Sequence, residues 1–175
     1  MYPYNRKTQL YHTPIGAKEK AAKKDDSPAL STDRRLLELL QLAKQDAARM
    51  EEKYNALLQE ETLAEAADII RTMETDTKKH QRILQEILFT IFSDTFEDIL
   101  ENITEGETEE KSAEELLEEL LLTEMDDITF YRTLLSAMDA DDLWELIFEV
   151  LTDKQNHTAA LNHLYAKYFS KTTGQ

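Results

Sequence analysis

Apolar side chains recur along most of this chain at alternating spacings of four and three residues, and that pattern predicts four long helices. Such spacing places the apolar residues on one stripe of each helix, which is typical of a left-handed helical bundle. The stripes comprise Leu36, Leu40, Ala43, Ala47, Met50, Tyr54 and Leu57; Ala66, Ile70, Met73, Thr77, His80, Leu84, Ile87 and Ile91; Ala113, Leu117, Leu120, Glu124, Asp127, Tyr131, Leu134 and Met138; and Leu143, Ile147, Val150, Lys154, His157, Leu161, Leu164 and Tyr168. Three of the four stripes therefore contain polar residues, although charged side chains are almost never fully buried unless they are paired.

The predicted helix ends carry local signals. The first helix is predicted to begin at Ser31 or Thr32, since both residue types cap helix N-termini. Thr62 with Glu65, and Ser112 with Glu115, have the spacing of a capping box, which predicts the starts of the second and third helices.

The chain divides into a folded body and two end segments. Residues 1–30 mix Pro, Gly, Tyr and Lys without a sustained helical period, which predicts a mobile or loosely docked tail. Residues 31–170 are predicted to form the bundle, with a long connection over 93–111 between the second and third helices. Residues 171–175 are predicted to be a frayed end.

Composition narrows the class of protein. The 175 residues include only three Gly, three Pro and no Cys, and no stretch alternates like a strand, so we expect an all-α fold without disulfides or thiolate chemistry. There is no apolar signal region and no run of 18 apolar residues, which predicts no membrane association and a cytoplasmic location. The net charge of −16 predicts no nucleic-acid binding, because an acidic surface repels phosphates.

An internal repeat relates the two halves of the chain at an offset of 77 residues. Residues 75–80 and 152–157 both read T-D-x-x-x-H. The stripes coincide at the same offset, with identities at Leu40/Leu117, Tyr54/Tyr131, Leu57/Leu134, Leu58/Leu135, Ile70/Ile147, Asp76/Asp153, His80/His157 and Leu84/Leu161. Two copies of one helical hairpin joined by a long crossover predict a four-helix bundle with pseudo-twofold symmetry.

The polar residues of the stripes are predicted to meet inside the bundle. Residues equally far from a hairpin turn lie at the same height, and by this rule all six fall in two adjacent layers: Thr77, His80, Glu124, Asp127, Lys154 and His157. Ala47 and Met50 of the first helix face them. Buried charges cost several kcal/mol each unless they are paired or bound to metal, so this cluster needs an explanation.

Over residues 33–170 the chain resembles the ferritin-like superfamily, and most closely its rubrerythrin branch. In that family the first and third helices each supply an inward Glu seven residues before a Tyr. The second and fourth each supply Glu-x-x-His, commonly preceded by Asp, and the set holds two iron or manganese ions for peroxide or oxygen chemistry. The matching positions are His80, His157, Glu124 before Tyr131, and the preceding Asp76 and Asp153.

Three positions depart from the family pattern. Ala47 stands where the first-helix Glu belongs, and Thr77 and Lys154 stand at the Glu of the two Glu-x-x-His pairs. The resemblance therefore implies a degenerate site without the di-iron centre, and a chain that acts as a structural or interaction module. In this interpretation no cofactor binds, because Lys154 and one protonated His neutralise Glu124 and Asp127.

The alternative is an oxidoreductase that holds one Fe or Mn ion and acts on peroxide or dioxygen. Its predicted ligands are two imidazoles and two carboxylates: His80, Glu124, Asp127 and His157. Asp76 and Asp153 would orient the rings or replace ligands, and Tyr54 and Tyr131 would pack around the site. Relatives often form dimers, which makes a homodimer possible, whereas no protein partner can be identified.

Overall fold

A computed structural model describes residues 28–92, 111–138 and 141–170, and it contains four long helices. These are α1 (Pro28–Leu57), α2 (Ala67–Phe92), α3 (Ala113–Ser136) and α4 (Asp141–Tyr168), with a 3-10 helix at Glu61–Ala66 between α1 and α2. The described residues contain no strand, so the all-α prediction is confirmed. None of these helices combines the length and the apolar character needed to cross a membrane.

The helix ends agree only partly with the predicted signals. Ser112 caps α3 as expected: its Oγ accepts from the Glu115 backbone N–H at 3.3 Å, and Glu115 Oε2 accepts from the Ser112 N–H at 2.9 Å. The capping box at Thr62 is wrong, because Thr62 lies inside the 3-10 helix and α2 begins only at Ala67. α1 begins at Pro28, earlier than Ser31, and a proline is tolerated in the first helical turn.

Several predicted segments lie outside the described residues. They are 1–27 of the predicted tail, 93–110 of the predicted connection, and 171–175. Residues 28–30, the last three of the predicted tail, belong to α1.

The four helices pack as two hairpins side by side. α1 packs mainly against α2, and α3 mainly against α4; between the hairpins, α1 contacts α3 and α2 contacts α4. The helices therefore stand in the order α1, α2, α4, α3 around the bundle, with α1 and α4 on opposite corners.

Buried apolar side chains form two clusters, which we name the Leu40 cluster and the Leu57 cluster. The Leu40 cluster joins the early part of α1 and α4 to the late part of α2 and α3, over residues 37–47, 147–151, 83–88 and 130–134. The Leu57 cluster joins the opposite parts, over residues 50–57, 161–164, 63–73 and 113–120. α1 is therefore antiparallel to α3, and α2 is antiparallel to α4.

The polar stripe residues lie between these two clusters. Thr77, His80, Glu124, Asp127, Lys154 and His157 are all buried, and their positions along α2, α3 and α4 fall between the segments that build the clusters. The predicted burial of these six residues is confirmed. A polar layer thus crosses the middle of the bundle and is sealed by apolar residues on both sides.

Candidate functional site in the bundle core

A buried lysine lies at the centre of the polar layer. Lys154 of α4 is 1% exposed, and its Nζ lies 3.1 Å from Glu124 Oε2 and 3.0 Å from Asp127 Oδ2. Glu124 and Asp127 are three residues apart on α3, a spacing that puts both carboxylates on one face of the helix. The ammonium group therefore lies between two acidic side chains.

Electrostatics keep this cluster ionised in spite of burial. Burial alone lowers the pKa of Lys154, but the charges of Glu124 and Asp127 outweigh it and raise the pKa above its ordinary value. Burial also disfavours the charged form of Glu124 and by itself would raise its pKa. Lys154 and His157 outweigh this effect and hold the pKa of Glu124 below its ordinary range. Opposite charges at about 3 Å interact strongly in an interior of low dielectric constant, which is why the pair dominates over desolvation.

His157 is held by carboxylates at both ring nitrogens. Its Nδ1 lies 3.2 Å from Glu124 Oε1 and its Nε2 lies 3.2 Å from Asp76 Oδ2. A carboxylate only accepts, so both hydrogen bonds form together only when both ring nitrogens carry a proton. His157 therefore links Glu124 of α3 to Asp76 of α2.

His80 has a different environment. Its Nε2 lies 3.1 Å from Asp153 Oδ2, whereas its Nδ1 is buried and has no hydrogen-bond partner among the described residues. Burial first, and then the charge of Lys154, lower the pKa of His80 to about 4. The ring is therefore neutral at pH 7 and donates its Nε2 proton to Asp153.

The two T-D-x-x-x-H copies are connected crosswise. Asp76 of the first copy contacts His157 of the second, and Asp153 of the second contacts His80 of the first. The two imidazole centroids are 5.9 Å apart. Each aspartate therefore contacts the ring of the opposite copy, and this crosswise pairing was not predicted from the sequence.

Lys79 closes this arrangement at its partly exposed edge. Its Nζ lies 2.7 Å from Asp153 Oδ2 and 3.6 Å from Asp76 Oδ1. Sequence reasoning missed this residue, because Lys79 lies off the apolar stripe. The available signal was its position three residues after Asp76, which puts the two side chains on the same side of α2.

The remaining predicted site residues play unequal parts. The Tyr54 hydroxyl donates to Glu124 Oε1 at 2.7 Å, whereas within the described part of the chain the Tyr131 hydroxyl has no carboxylate hydrogen bond. Burial and then the charge of Glu124 raise the pKa of Tyr54, which therefore stays a donor. The Thr77 Oγ1 donates to the backbone carbonyl of Met73 at 2.8 Å, so it satisfies itself within α2.

These residues do not fit a di-metal centre. Among residues 28–92, 111–138 and 141–170, no group of three or more His, Asp or Glu side chains is arranged to hold a metal ion. The Lys154 ammonium already lies against the carboxylates of Glu124 and Asp127, and a divalent cation placed there would meet its repulsion. The arrangement neutralises buried charge and links α2, α3 and α4.

Comparison of the chain with protein-family models, with curated proteins and with solved structures found no match.

Proposed function

We propose that this chain is a ferritin-like bundle, related to the rubrerythrin branch, whose core has exchanged its di-iron centre for an internal lysine. In this proposal the protein acts as a structural or interaction module and not as an oxidoreductase. The observation that carries it is the position of Lys154, whose Nζ lies about 3 Å from both Glu124 and Asp127 inside the bundle.

The repeat supports the proposed descent. The two T-D-x-x-x-H copies occupy equivalent places on α2 and α4, which run antiparallel, and their His side chains meet at mid-height. A gene duplication of one hairpin would produce this pseudo-twofold arrangement. In the family pattern the position of Lys154 belongs to a metal-binding Glu, so its side chain begins where a ligand would begin.

A lysine ammonium can take the place of a metal ion, because it puts a positive charge between the two carboxylates and fills the space between them. The ammonium supplies one positive charge and three donors, which suits two carboxylates that would otherwise be buried without a partner. The bundle then keeps the polar layer that specifies helix pairing and loses the cation that would react with oxygen. Such a layer fixes the register of the helices, because any other register would bury a charge without its partner.

Metal loading tests the proposal directly. The full-length chain, purified without chelators and then incubated anaerobically with ferrous iron or Mn²⁺, is expected to retain less than about 0.1 ion per chain after desalting, because a true site loads with affinity. Elemental analysis measures the ratio. Retention of one ion per chain would overturn the proposal.

Restoring the family's ligands provides the matched test of descent. The triple variant Ala47→Glu, Thr77→Glu and Lys154→Glu has the complete carboxylate and His set, and it is expected to bind about two ions per chain. Lys154→Met is the control, because it removes the ammonium without adding a ligand. A triple variant that keeps its helical circular dichroism but binds no metal would refute the ferritin-like relationship.

A second candidate function is favoured by one observation. The Nδ1 of His80 is buried without a partner in the described part of the chain, which leaves one nitrogen donor available inside the core. An oxidoreductase with one Fe or Mn ion bound by His80, Glu124, Asp127 and His157 would use it. That site requires the ion to displace the Lys154 ammonium, and the same loading experiment distinguishes the two functions.

A further inference from the structure

α4 carries a second stripe of residues on the side opposite its buried one, which we name the outer stripe. Its members recur at spacings of three and four, and at about 3.6 residues per turn they stay within about a quarter of the circumference. All of them are exposed and none is charged: Trp144, Phe148, Thr152, Gln155, Ala159, Asn162 and Ala166. The outward side of a helix normally holds charged residues. An uncharged stripe about 33 Å long therefore needs an explanation.

Trp144 and Phe148 form the apolar end of the outer stripe. They are 41% and 48% exposed, and their rings stack with centroids 5.0 Å apart and planes 9° apart. The Thr152 hydroxyl donates to the backbone carbonyl of Phe148 at 2.9 Å, so it is satisfied within α4. The other end of the stripe has small side chains at Ala159 and Ala166. Large apolar side chains that lie together on a surface mark an interaction site.

The internal repeat provides a direct comparison for the outer stripe. At the 77-residue offset it corresponds to a stripe of α2 that contains three cations: Ala67, Arg71, Thr75, Lys78, Arg82, Gln85 and Phe89. Lys78 forms an ion pair with Glu74 of the same helix, as expected of a solvated surface. The two hairpins therefore share their buried stripes but not their outer ones, and the absence of charge is a property of α4 and not of the repeat.

The charge of the chain indicates what covers the outer stripe. Two copies of a chain with a net charge of −16 repel each other, and like charges brought together at an interface oppose binding. The outer stripe of α4 places no charge against its own copy, so two copies can meet on this face. A basic partner, by contrast, would gain no electrostatic attraction from an uncharged stripe.

An antiparallel pair of α4 helices fits the distribution of side-chain sizes. A twofold axis beside Gln155 sets Trp144 of one copy opposite Ala166 of the other, and Phe148 opposite Asn162, because the two members of each pair are equally far from residue 155. Bulky side chains then face small ones along the whole stripe. A parallel pair would instead set Trp144 against Trp144 at one end and leave a gap between alanines at the other.

The exposed charges beside the two ends of the stripe agree with this arrangement. Glu145 and Lys167 lie along the same border of the outer stripe, and the Lys167 side chain is 49% exposed. In the antiparallel pair Glu145 of one copy approaches Lys167 of the other, so opposite charges meet at both ends of the contact. A parallel pair would bring Glu145 against Glu145, which opposes binding.

We propose that α4 pairs antiparallel with α4 of a second copy, about a twofold axis at Gln155, and that this contact covers Trp144 and Phe148. Burial of the aromatic pair drives the association, and the absence of charge on the stripe permits it. The inference goes beyond the proposed structural role of the core, and its test does not depend on whether the core binds metal.

Sedimentation of the full-length chain over a range of concentrations tests for the dimer. We expect a mass twice that of one chain, which returns to that of one chain on dilution. Gln155→Glu places two carboxylates against each other at the axis and should raise the dimer dissociation constant at least about tenfold. Gln85→Glu is the matched control on α2, because Gln85 Oε1 already accepts from Lys44 Nζ, and it should leave the constant unchanged.

Single cysteines report the arrangement, because the chain has no Cys of its own. Gln155→Cys puts one thiol on each side of the axis and should form a disulfide-linked dimer under mild oxidation. Lys78→Cys, at the equivalent position of α2, is the control and should run as a single chain in a denaturing gel. Asn162→Cys should also fail to cross-link, because its two copies lie about 21 Å apart in the antiparallel pair.

Three results would overturn the proposal. A single-chain mass at every concentration would exclude the contact. Equal dissociation constants for Gln155→Glu and Gln85→Glu would place a dimer on another face. Cross-linking of Asn162→Cys as readily as Gln155→Cys would exclude the antiparallel arrangement.

Discussion

The two T-D-x-x-x-H copies have the same motif but different electrostatics. In the first copy Thr77 bonds its own helix, and His80 is neutral with one ring nitrogen unused. In the second copy Lys154 pairs with two carboxylates, and His157 is contacted by carboxylates at both ring nitrogens. The histidine of the first copy is therefore neutral, whereas the second copy brings the buried charge of Lys154.

The difference originates in the helices that face the motifs. α3 brings Glu124 and Asp127 to the layer, whereas the corresponding positions of α1 are Ala47 and Met50. Two buried carboxylates require a cation, and the second copy supplies Lys154; two apolar residues require none. A motif of this kind therefore has no fixed protonation state, because desolvation and neighbouring charges decide it.

Among the substitutions that separate the two copies, removal of Lys154 should cause the largest loss of stability. Lys154→Met leaves the carboxylates of Glu124 and Asp127 buried without their cation, and we expect a loss of about 3–5 kcal/mol in the free energy of unfolding. Thr77→Val at the equivalent place in the first copy should cost less than about 1 kcal/mol, because it removes one hydrogen bond within α2. Urea denaturation measures both values.

The rescue variant makes that prediction specific. Glu124→Gln with Asp127→Asn removes the stranded charges, so it should recover most of the stability lost in Lys154→Met. Two results would contradict the charge network. One is an equal loss of stability for Lys154→Met and Thr77→Val; the other is no recovery when Glu124→Gln and Asp127→Asn are added to Lys154→Met.

The low pKa of His80 predicts an acid-sensitive core. The unfolded chain takes up this proton near pH 6.5, whereas the folded chain does so only near pH 4. The unfolded state thus binds more protons between these values, and stability is complete above pH 6.5 and falls as the pH is lowered towards 4. The shift in the pKa of His80 corresponds to about 3 kcal/mol of unfolding free energy lost across this pH range. The charged and titratable groups that face this ring are Lys154, Asp153 and His157.

Unfolding measured from pH 7 to pH 4.5 checks this assignment. His80→Gln cannot take up the proton, so its stability should decline less steeply than that of the wild type. His163→Gln, which replaces an exposed His of α4, should follow the wild-type curve. A slope unchanged by His80→Gln would mean that another group controls the acid response.

The smallest effect should distinguish the two equivalent tyrosines. Tyr54→Phe removes a 2.7 Å hydrogen bond to ionised Glu124 and is expected to cost about 1.5–3 kcal/mol. Tyr131→Phe removes no carboxylate contact, so its cost should stay below about 1 kcal/mol. Thermal melting of the two variants compares them, and equal shifts would contradict the asymmetry.

Much of the fold could be predicted from local pattern. Most of the stripe residues are buried, and the Ser112 capping box was correct. The stripe residues nearest the helix ends are only partly buried: Leu36, Ile91, Met138, Leu143 and Tyr168. The Thr62 box failed because the same three-residue spacing also fits inside a 3-10 turn, where the chain is already committed to the short connection between α1 and α2. Spacing alone does not separate these cases.

The candidate site could be located but not described. The spacing of the stripes placed six polar residues in two adjacent layers. It did not predict the part played by Lys79, or the crosswise pairing of Asp76 with His157 and of Asp153 with His80. A residue at the edge of a stripe faces either a neighbour or solvent, and helix rotation by a few tens of degrees decides which.

The sequence by itself determined the four helices, their buried faces and the height at which their polar residues meet. These features follow from the 3.6-residue period and the lengths of the hairpins, which are local properties. Only the tertiary structure decided which acid binds which base, since the partners are 73 and 81 residues apart in the chain for the two Asp–His contacts. Ionisation depends on distances of about 3 Å between such groups and on their burial, and both exist only once the helices have packed.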